Sequence, residues 1–119
     1  MAQRYVQTLD LVDDASLIEQ YREAHRHVWP EILAGIRQVG ITAMDIYLLG
    51  NRMTMILELA DGVDFDEAMD KLSRLPRQAE WEEYVGRFQI CAPGSTSAGK
   101  WQRMESIFSL PDAEPDNQI

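Results

Sequence analysis

Cysteine is nearly absent from this chain of 119 residues, which contains only Cys91. A single cysteine cannot form an internal disulfide, which fits a reducing compartment and predicts a cytoplasmic protein. Basic residues are also scarce: 11 Lys and Arg stand against 20 Asp and Glu, giving a formal net charge of −9. Such an acidic surface repels phosphate backbones and anionic lipid, so we expect neither nucleic acid nor a membrane as a partner.

Long apolar runs are missing as well. No segment approaches the roughly 18 apolar residues of a transmembrane helix, and the first residues lack the apolar core of a signal peptide. The sequence has no glycine-rich phosphate loop, no serine nucleophile motif and no paired cysteines. It therefore offers no motif for a cofactor or a covalent intermediate. Its length and its 45% hydrophobic residues are typical of one globular domain.

The predicted secondary structure follows the order β-α-β-β-α-β, with the second helical part split in two. Strands are predicted at residues 4–11, 42–49, 52–59 and 102–110, helices at 16–40, 64–74 and 77–88, and a loop at 91–100. The first helix is expected to begin with a capping box at Ser16 and to kink or restart at Pro30. The dipeptide Gly50-Asn51 predicts a tight hairpin.

This order of elements predicts a ferredoxin-like α+β fold, with helices on one face of an antiparallel sheet. The other face would expose apolar residues unless something covers it, so we expect a homodimer. We expect one domain over residues 1–111. Residues 112–119 are polar and contain a proline, and they predict a flexible tail.

His25 is the strongest candidate for chemistry. Apolar or aromatic positions three or four apart place one face of the first helix at Ile18, Tyr21, His25, Val28, Ile32 and Ile36. An imidazole between the rings of Tyr21 and Trp29 is suited to donating a proton, although a packed histidine with a satisfied hydrogen bond explains the same pattern. His27 points away from His25 on a helix, so we expect no metal site.

Trp81 and Glu82 form a second candidate cluster. An aromatic ring beside a carboxylate suits carbohydrate binding, because the ring stacks on sugar C–H groups and the carboxylate accepts hydrogen bonds from hydroxyls. A core tryptophan beside a solvated acidic face would give the same sequence. Asp45, in the second strand, faces either a cavity or water. Met44 and the other strand methionines are interpreted as core residues.

The segment at residues 21–31 (YREAHRHVWPE), followed by DIYL at 45–48, resembles the L-rhamnose mutarotase family. Trp81 with Tyr84, and IFSLP at 107–111, also fit, so the resemblance covers nearly the whole chain up to Pro111. Within the family the sequence is more similar to the members described as L-fucose mutarotases. That similarity rests on RYVQTLD at 4–10, MDIY at 44–47, KW at 100–101 and ME at 104–105.

The resemblance implies a dimeric α+β barrel that interconverts the α and β anomers of a free 6-deoxy sugar without a metal or organic cofactor. It assigns the proton donor to His25 and sugar contacts to Tyr21 and Trp81, and we add Trp29 as a further contact. The family's rhamnose enzymes carry a tyrosine where this chain has Met44 and a tryptophan where it has Glu82. These are sugar-contacting positions, so the resemblance favours L-fucose over L-rhamnose.

Three points stay open at this stage. The general base is unassigned, with Glu82 and Asp45 as candidates. Dimeric α+β barrels also include cofactor-free oxygenases of aromatic substrates, which would need a more apolar cavity. A non-catalytic sugar-binding module is a further alternative, and it would tolerate the loss of His25. The fold alone does not separate these functions.

Overall fold

The computed structural model describes residues 3–92 and 94–111. The described chain has four strands, which are β1 (Gln3–Asp10), β2 (Ile41–Leu49), β3 (Arg52–Leu59) and β4 (Gln102–Arg103). Its helices are α1 (Ala15–Arg26), α2 (Pro30–Gln38), α3 (Phe65–Ser73), α4 (Gln78–Gly86) and α5 (Ser97–Lys100). The strands form one antiparallel sheet in the order β2-β3-β1-β4, so the predicted α+β order is confirmed. The tail predicted at 112–119 lies outside the described residues.

The break between α1 and α2 confirms the predicted effect of Pro30. Pro30 is the first residue of α2, where its missing amide hydrogen costs no hydrogen bond. The predicted start of α1 is wrong, because Asp14 rather than Ser16 caps this helix. The Asp14 side chain accepts a hydrogen bond from the Leu17 backbone nitrogen at 3.0 Å, and its extended backbone is the conformation that an N-cap requires.

The hairpin between β2 and β3 turns at Gly50-Asn51 as predicted, with Gly50 at a positive φ of 61° that glycine adopts without strain. Side chains alternate between the two faces of a strand. Met44 lies opposite the buried Leu57 and shares its face, which the helices cover. Asp45 and Tyr47 lie on the other face of the sheet, which no helix of the described chain covers.

The hydrophobic core lies between the covered face of the sheet and the helices. Its most deeply enclosed side chains come from strands, a helix and a connecting segment, and they are Leu11, Ile32, Met53, Leu57 and Leu59. Tyr21 of α1 and Trp81 of α4 close the core from the helical side. The helices do not fill all the space above β2, and a cavity opens there. None of the described helices is long and apolar enough to cross a membrane.

The last predicted strand, at residues 102–110, is wrong in its length. Only Gln102 and Arg103 pair with β1 in a ladder, and the Met104 backbone nitrogen then donates to the Val6 carbonyl at 2.7 Å. A strand needs a neighbour for its backbone hydrogen bonds, and residues 105–110 have none within the described chain. The loop predicted at 91–100 also differs, since its last four residues form the short helix α5.

Candidate active site

A cavity of about 560 Å³ opens between α1, α2, α4 and β2. Its wall includes Tyr21 and His25 from α1, Met44 from β2, and Trp81 and Glu82 from α4. With Asp45, which also lines the cavity, they are six of the seven residues that the sequence analysis assigned to a sugar site. The volume and the mixture of apolar and polar side chains are typical of a small-molecule site.

Asp45 and Trp29 lie differently from the other five assigned residues. Asp45 is exposed at the mouth of the cavity, on the face of β2 turned away from the helices. Trp29 lies behind the cavity wall, with its ring edge against Trp81 at a centroid distance of 5.2 Å. The Tyr84 ring stacks on the Trp29 ring at a centroid distance of 5.9 Å. The Arg77 guanidinium lies 4.2 Å from the centroid of the Trp29 ring. Trp29 therefore supports Trp81 and does not reach the cavity.

His25 has one ring nitrogen engaged by the backbone. Its Nδ1 lies 3.0 Å from the carbonyl oxygen of Tyr21. Because a carbonyl only accepts, we assign the proton of the neutral ring to Nδ1, which leaves a lone pair on Nε2. Burial lowers the pKa of His25 below its ordinary value of 6.5, and the bond to the Tyr21 carbonyl opposes this effect. Near pH 7 the Nε2 atom can therefore accept a proton and later return it.

Tyr21 lies beside His25, with the two ring centroids 4.3 Å apart. Burial raises the pKa of the Tyr21 hydroxyl above its ordinary value, so this hydroxyl keeps its proton. Gln89, which the sequence analysis missed, donates from Nε2 to the Tyr21 hydroxyl at 3.2 Å. Since the hydroxyl accepts this bond, its own hydrogen remains available to a ligand.

A buried polar network forms another part of the wall. The Glu82 Oε1 atom lies 2.7 Å from the Lys100 Nζ atom, and Oε2 accepts hydrogen bonds from Gln78 Nε2 and Ser97 Oγ, each at 2.7 Å. The side chains of Lys100 and Glu82 are only 1% and 10% exposed. The sequence analysis missed Gln78, Ser97 and Lys100. The four-residue spacing of Gln78 and Glu82 was a usable signal, but Lys100 comes from α5, and no local pattern pairs it with α4.

His27 lies apart from this site, as its predicted direction indicates. Its imidazole is exposed, and its Nε2 atom pairs with Glu23 Oε1 at 3.1 Å. Within residues 3–92 and 94–111, no three His, Cys, Asp or Glu side chains are arranged to hold a metal ion.

Comparison with known proteins places this geometry in a family. The model of the L-rhamnose mutarotase family matches residues 4–110. The chain belongs to the L-rhamnose mutarotase family. The resemblance found in the sequence is thereby confirmed, and it extends over the residues that form the cavity.

Relatives and solved structures agree with this membership. An L-fucose mutarotase of Xanthomonas campestris pv. campestris is 40% identical over 115 residues, which cover 93% of this chain and 90% of the relative. A crystal structure of an L-rhamnose mutarotase from Formosa agariphila superposes with a TM-score of 0.71 at 15% identity, covering 92% of this chain and 99% of that one.

A dimeric ferredoxin-like protein from an uncultured marine organism superposes with a TM-score of 0.57 at 12% identity, covering 92% of this chain and 93% of that one. At such low identities the two structures show the fold. They confirm the predicted ferredoxin-like α+β architecture for this family member.

We expect the His25 imidazole to titrate below pH 6.5 and to carry its proton on Nδ1 when it is neutral, because burial disfavours the charged ring. In ¹H–¹⁵N spectra of the histidine-labelled protein, Nε2 should show a pyridine-type shift above the titration midpoint. A midpoint above 6.5 or a pyrrole-type Nε2 would contradict the assigned tautomer.

Proposed function

We propose that this protein interconverts the α and β anomers of a free 6-deoxy sugar, by acid–base ring opening in the cavity between α1 and α4. The observation that carries the proposal is the adjacency of a neutral imidazole, His25, and a protonated hydroxyl, Tyr21, in one cavity of a chain of the L-rhamnose mutarotase family. Such a pair can take up one proton and supply another at neighbouring atoms of a bound sugar.

Ring opening requires two proton transfers. As the bond between C1 and the ring oxygen breaks, Nε2 of His25 accepts the proton of the anomeric hydroxyl, and the Tyr21 hydroxyl gives its proton to the ring oxygen. After rotation about the C1–C2 bond, the ring closes on the other face of C1. The hydroxyl formed from the ring oxygen then returns its proton to Tyr21, and the His25 imidazolium protonates the anomeric oxygen. The donor role that the resemblance assigns to His25 corresponds to this closing step.

The two carboxylates considered as bases fit that role poorly. Glu82 already accepts two hydrogen bonds and forms an ion pair with Lys100, each at 2.7 Å. Asp45 is exposed to solvent at the cavity mouth. The polar groups in the wall also argue against a cofactor-free oxygenase of aromatic substrates, which would need a more apolar cavity.

His25→Ala tests the catalytic role. We expect it to fold and to lose roughly 10²–10⁴-fold in the rate of anomer exchange above the spontaneous reaction, which is the usual contribution of a general acid or base. The rate is measured by NMR saturation transfer between the two anomers. His27→Ala is the matched control, because its exposed ring pairs only with Glu23 among the described contacts, and it should retain most of the activity.

Two results would contradict this assignment. A folded His25→Ala protein with near-native exchange rates would reduce His25 to a packing residue. A native protein that binds the sugar without exchanging its anomers would favour a non-catalytic sugar-binding module.

We infer that L-fucose is the preferred sugar. L-fucose and L-rhamnose differ in configuration at C2 and C4, so a pocket must place its polar partners differently for each. A buried polar group left unpaired costs about 1–3 kcal/mol. Met44 and Glu82 stand in the cavity wall where the resemblance places aromatic rings in rhamnose enzymes. The L-fucose mutarotase that is 40% identical supports the same choice.

With both sugars at equal concentration, we expect saturation transfer to give faster anomer exchange for L-fucose than for L-rhamnose. The spontaneous rate of each sugar without protein is the baseline. Equal catalysed rates, or a faster rate for L-rhamnose, would contradict the preference.

A second copy of this chain is the protein partner that we propose. In the single chain Ile107 and Phe108 are 90% and 75% exposed, and Leu49 on the uncovered sheet face is 85% exposed. Large apolar side chains that are exposed in a single chain are often covered by a partner. A two-fold dimer would cover the sheet face and could supply residues 105–110 with the strand neighbour that they lack. The dimeric ferredoxin-like neighbour supports this arrangement.

We expect a dimer in sedimentation velocity at micromolar concentration. Phe108→Asp should shift the population towards monomer, because it places a charge in the buried interface. Gln38→Asp, on the exposed end of α2, adds the same charge elsewhere and should leave the dimer intact. A native protein that sediments as a monomer would contradict the proposal.

A further inference from the structure

The side chains of Gln78, Glu82, Ser97 and Lys100 form a connected polar network in a wall between two cavities. Gln78, Glu82 and Ser97 line the cavity that contains His25, and they also line a second cavity of about 520 Å³ beside α3 and α4. The Lys100 side chain is almost fully enclosed. The network therefore connects the sugar cavity to a buried charge that the proposed mechanism does not use.

Stability alone gives no reason for this network. Burying an ammonium and a carboxylate costs desolvation free energy, and apolar residues of similar volume often replace such pairs without loss of stability. The contacts of the carboxylate suggest a different role. Lys100 occupies Oε1, while Gln78 and Ser97 both donate to Oε2. The carboxylate thus forms one ion pair and accepts two hydrogen bonds at once.

An ionised carboxylate fixes the orientation of its neighbours, because it accepts hydrogen bonds and cannot donate them. Gln78 must direct its amide nitrogen towards Glu82, and Ser97 must direct its hydroxyl hydrogen there. The Gln78 Oε1 atom accepts no hydrogen bond within the part of the chain that the structure describes, and Gln78 lines the cavity that contains His25. Gln78 Oε1 and the lone pairs of Ser97 are thereby left as acceptors.

We propose that Lys100 and Glu82 are a positioning pair that holds Gln78 and Ser97 as hydrogen-bond acceptors for hydroxyl groups of the sugar. This inference rests on the proposed function and names residues that determine its sugar specificity. Acceptors held in fixed positions favour one sugar configuration, since a hydroxyl that points elsewhere leaves them unpaired. Glu82 acts through its two neighbours and does not itself take the sugar's proton.

Gln78→Met and Lys100→Met test the proposal, alone and together. Each single variant should raise the KM for L-fucose about tenfold, the effect of losing one hydrogen bond, and change kcat less than about twofold. A hydroxyl held away from C1 contributes equally to ground state and transition state, so its loss appears in KM. Because Lys100 acts through Gln78, the double variant should also show about a tenfold rise and not a hundredfold one.

The ratio of kcat/KM for L-fucose to that for L-rhamnose gives an independent readout. It should fall in both single variants, because the acceptors are arranged for one configuration. A general loosening of the protein would lower kcat/KM for both sugars alike and leave their ratio unchanged. Lys71→Met is the matched control, since Lys71 is the only other lysine of the chain and is exposed on α3, and it should leave both KM and the ratio unchanged.

Lys100→Met leaves the Glu82 carboxylate buried without its counter-charge, and this can prevent folding. Glu82→Gln combined with Lys100→Met removes both charges. The new amide at position 82 can donate as well as accept, so Gln78 is no longer forced into one orientation. This neutral pair should fold and should still show the raised KM for L-fucose.

The inference can fail separately from the proposed function. If the native protein exchanges L-fucose anomers but Gln78→Met and the neutral pair keep the native KM, the positioning role is wrong. Additive effects of Gln78→Met and Lys100→Met would also overturn it, because they would show that Lys100 acts independently of Gln78. Absence of exchange by the native protein would overturn the proposed function itself.

Discussion

Trp81 joins the three segments on which the site depends. Its ring makes edge-to-face contacts with His25 of α1 at a centroid distance of 5.5 Å, with Trp29 in the break before α2 at 5.2 Å, and with Tyr84 of its own helix at 5.8 Å. Contacts of this kind between aromatic rings contribute roughly 0.5–1.5 kcal/mol each beyond the burial of their area. They hold α4 against α1 at one end while the space above β2 stays open. The position of His25 in the cavity wall follows from this packing.

Burial shifts the pKa values of the His25 and Tyr21 side chains in opposite directions. It lowers the pKa of the His25 imidazole and raises the pKa of the Tyr21 hydroxyl, since each environment disfavours the charged form. Both groups are therefore neutral over the same range of pH. A neutral proton acceptor beside a neutral proton donor is the combination that reversible ring opening needs, because each group recovers its starting state when the ring closes. The buried charges beside the cavity are those of the Glu82–Lys100 pair, whereas Arg37 and Asp45 in its lining are exposed.

Local patterns predicted the elements whose determinants lie close together in the chain. The spacing of Tyr21 and His25 placed both side chains on one helical face, Pro30 predicted the restart at α2, and Gly50-Asn51 predicted the hairpin. Trp29 shows the limit of this reasoning. We expected it to be a further sugar contact, but the helix breaks between His25 and Trp29, and Trp29 packs against Trp81.

The sequence by itself determined the order of the elements and the family, and it indicated His25 as the candidate proton donor, since each depends on short segments with a regular pattern. Tertiary structure decided the partners of those residues. Gln89 meets Tyr21 only after the chain has passed through β2, β3 and three more helices, and Lys100 meets Glu82 only when α5 approaches α4. No periodicity encodes such pairs, because their distance in space is set by how the helices pack on the sheet. The same holds for residues 105–110, which have strand-like sequence but no neighbour within the single chain to complete their hydrogen bonds.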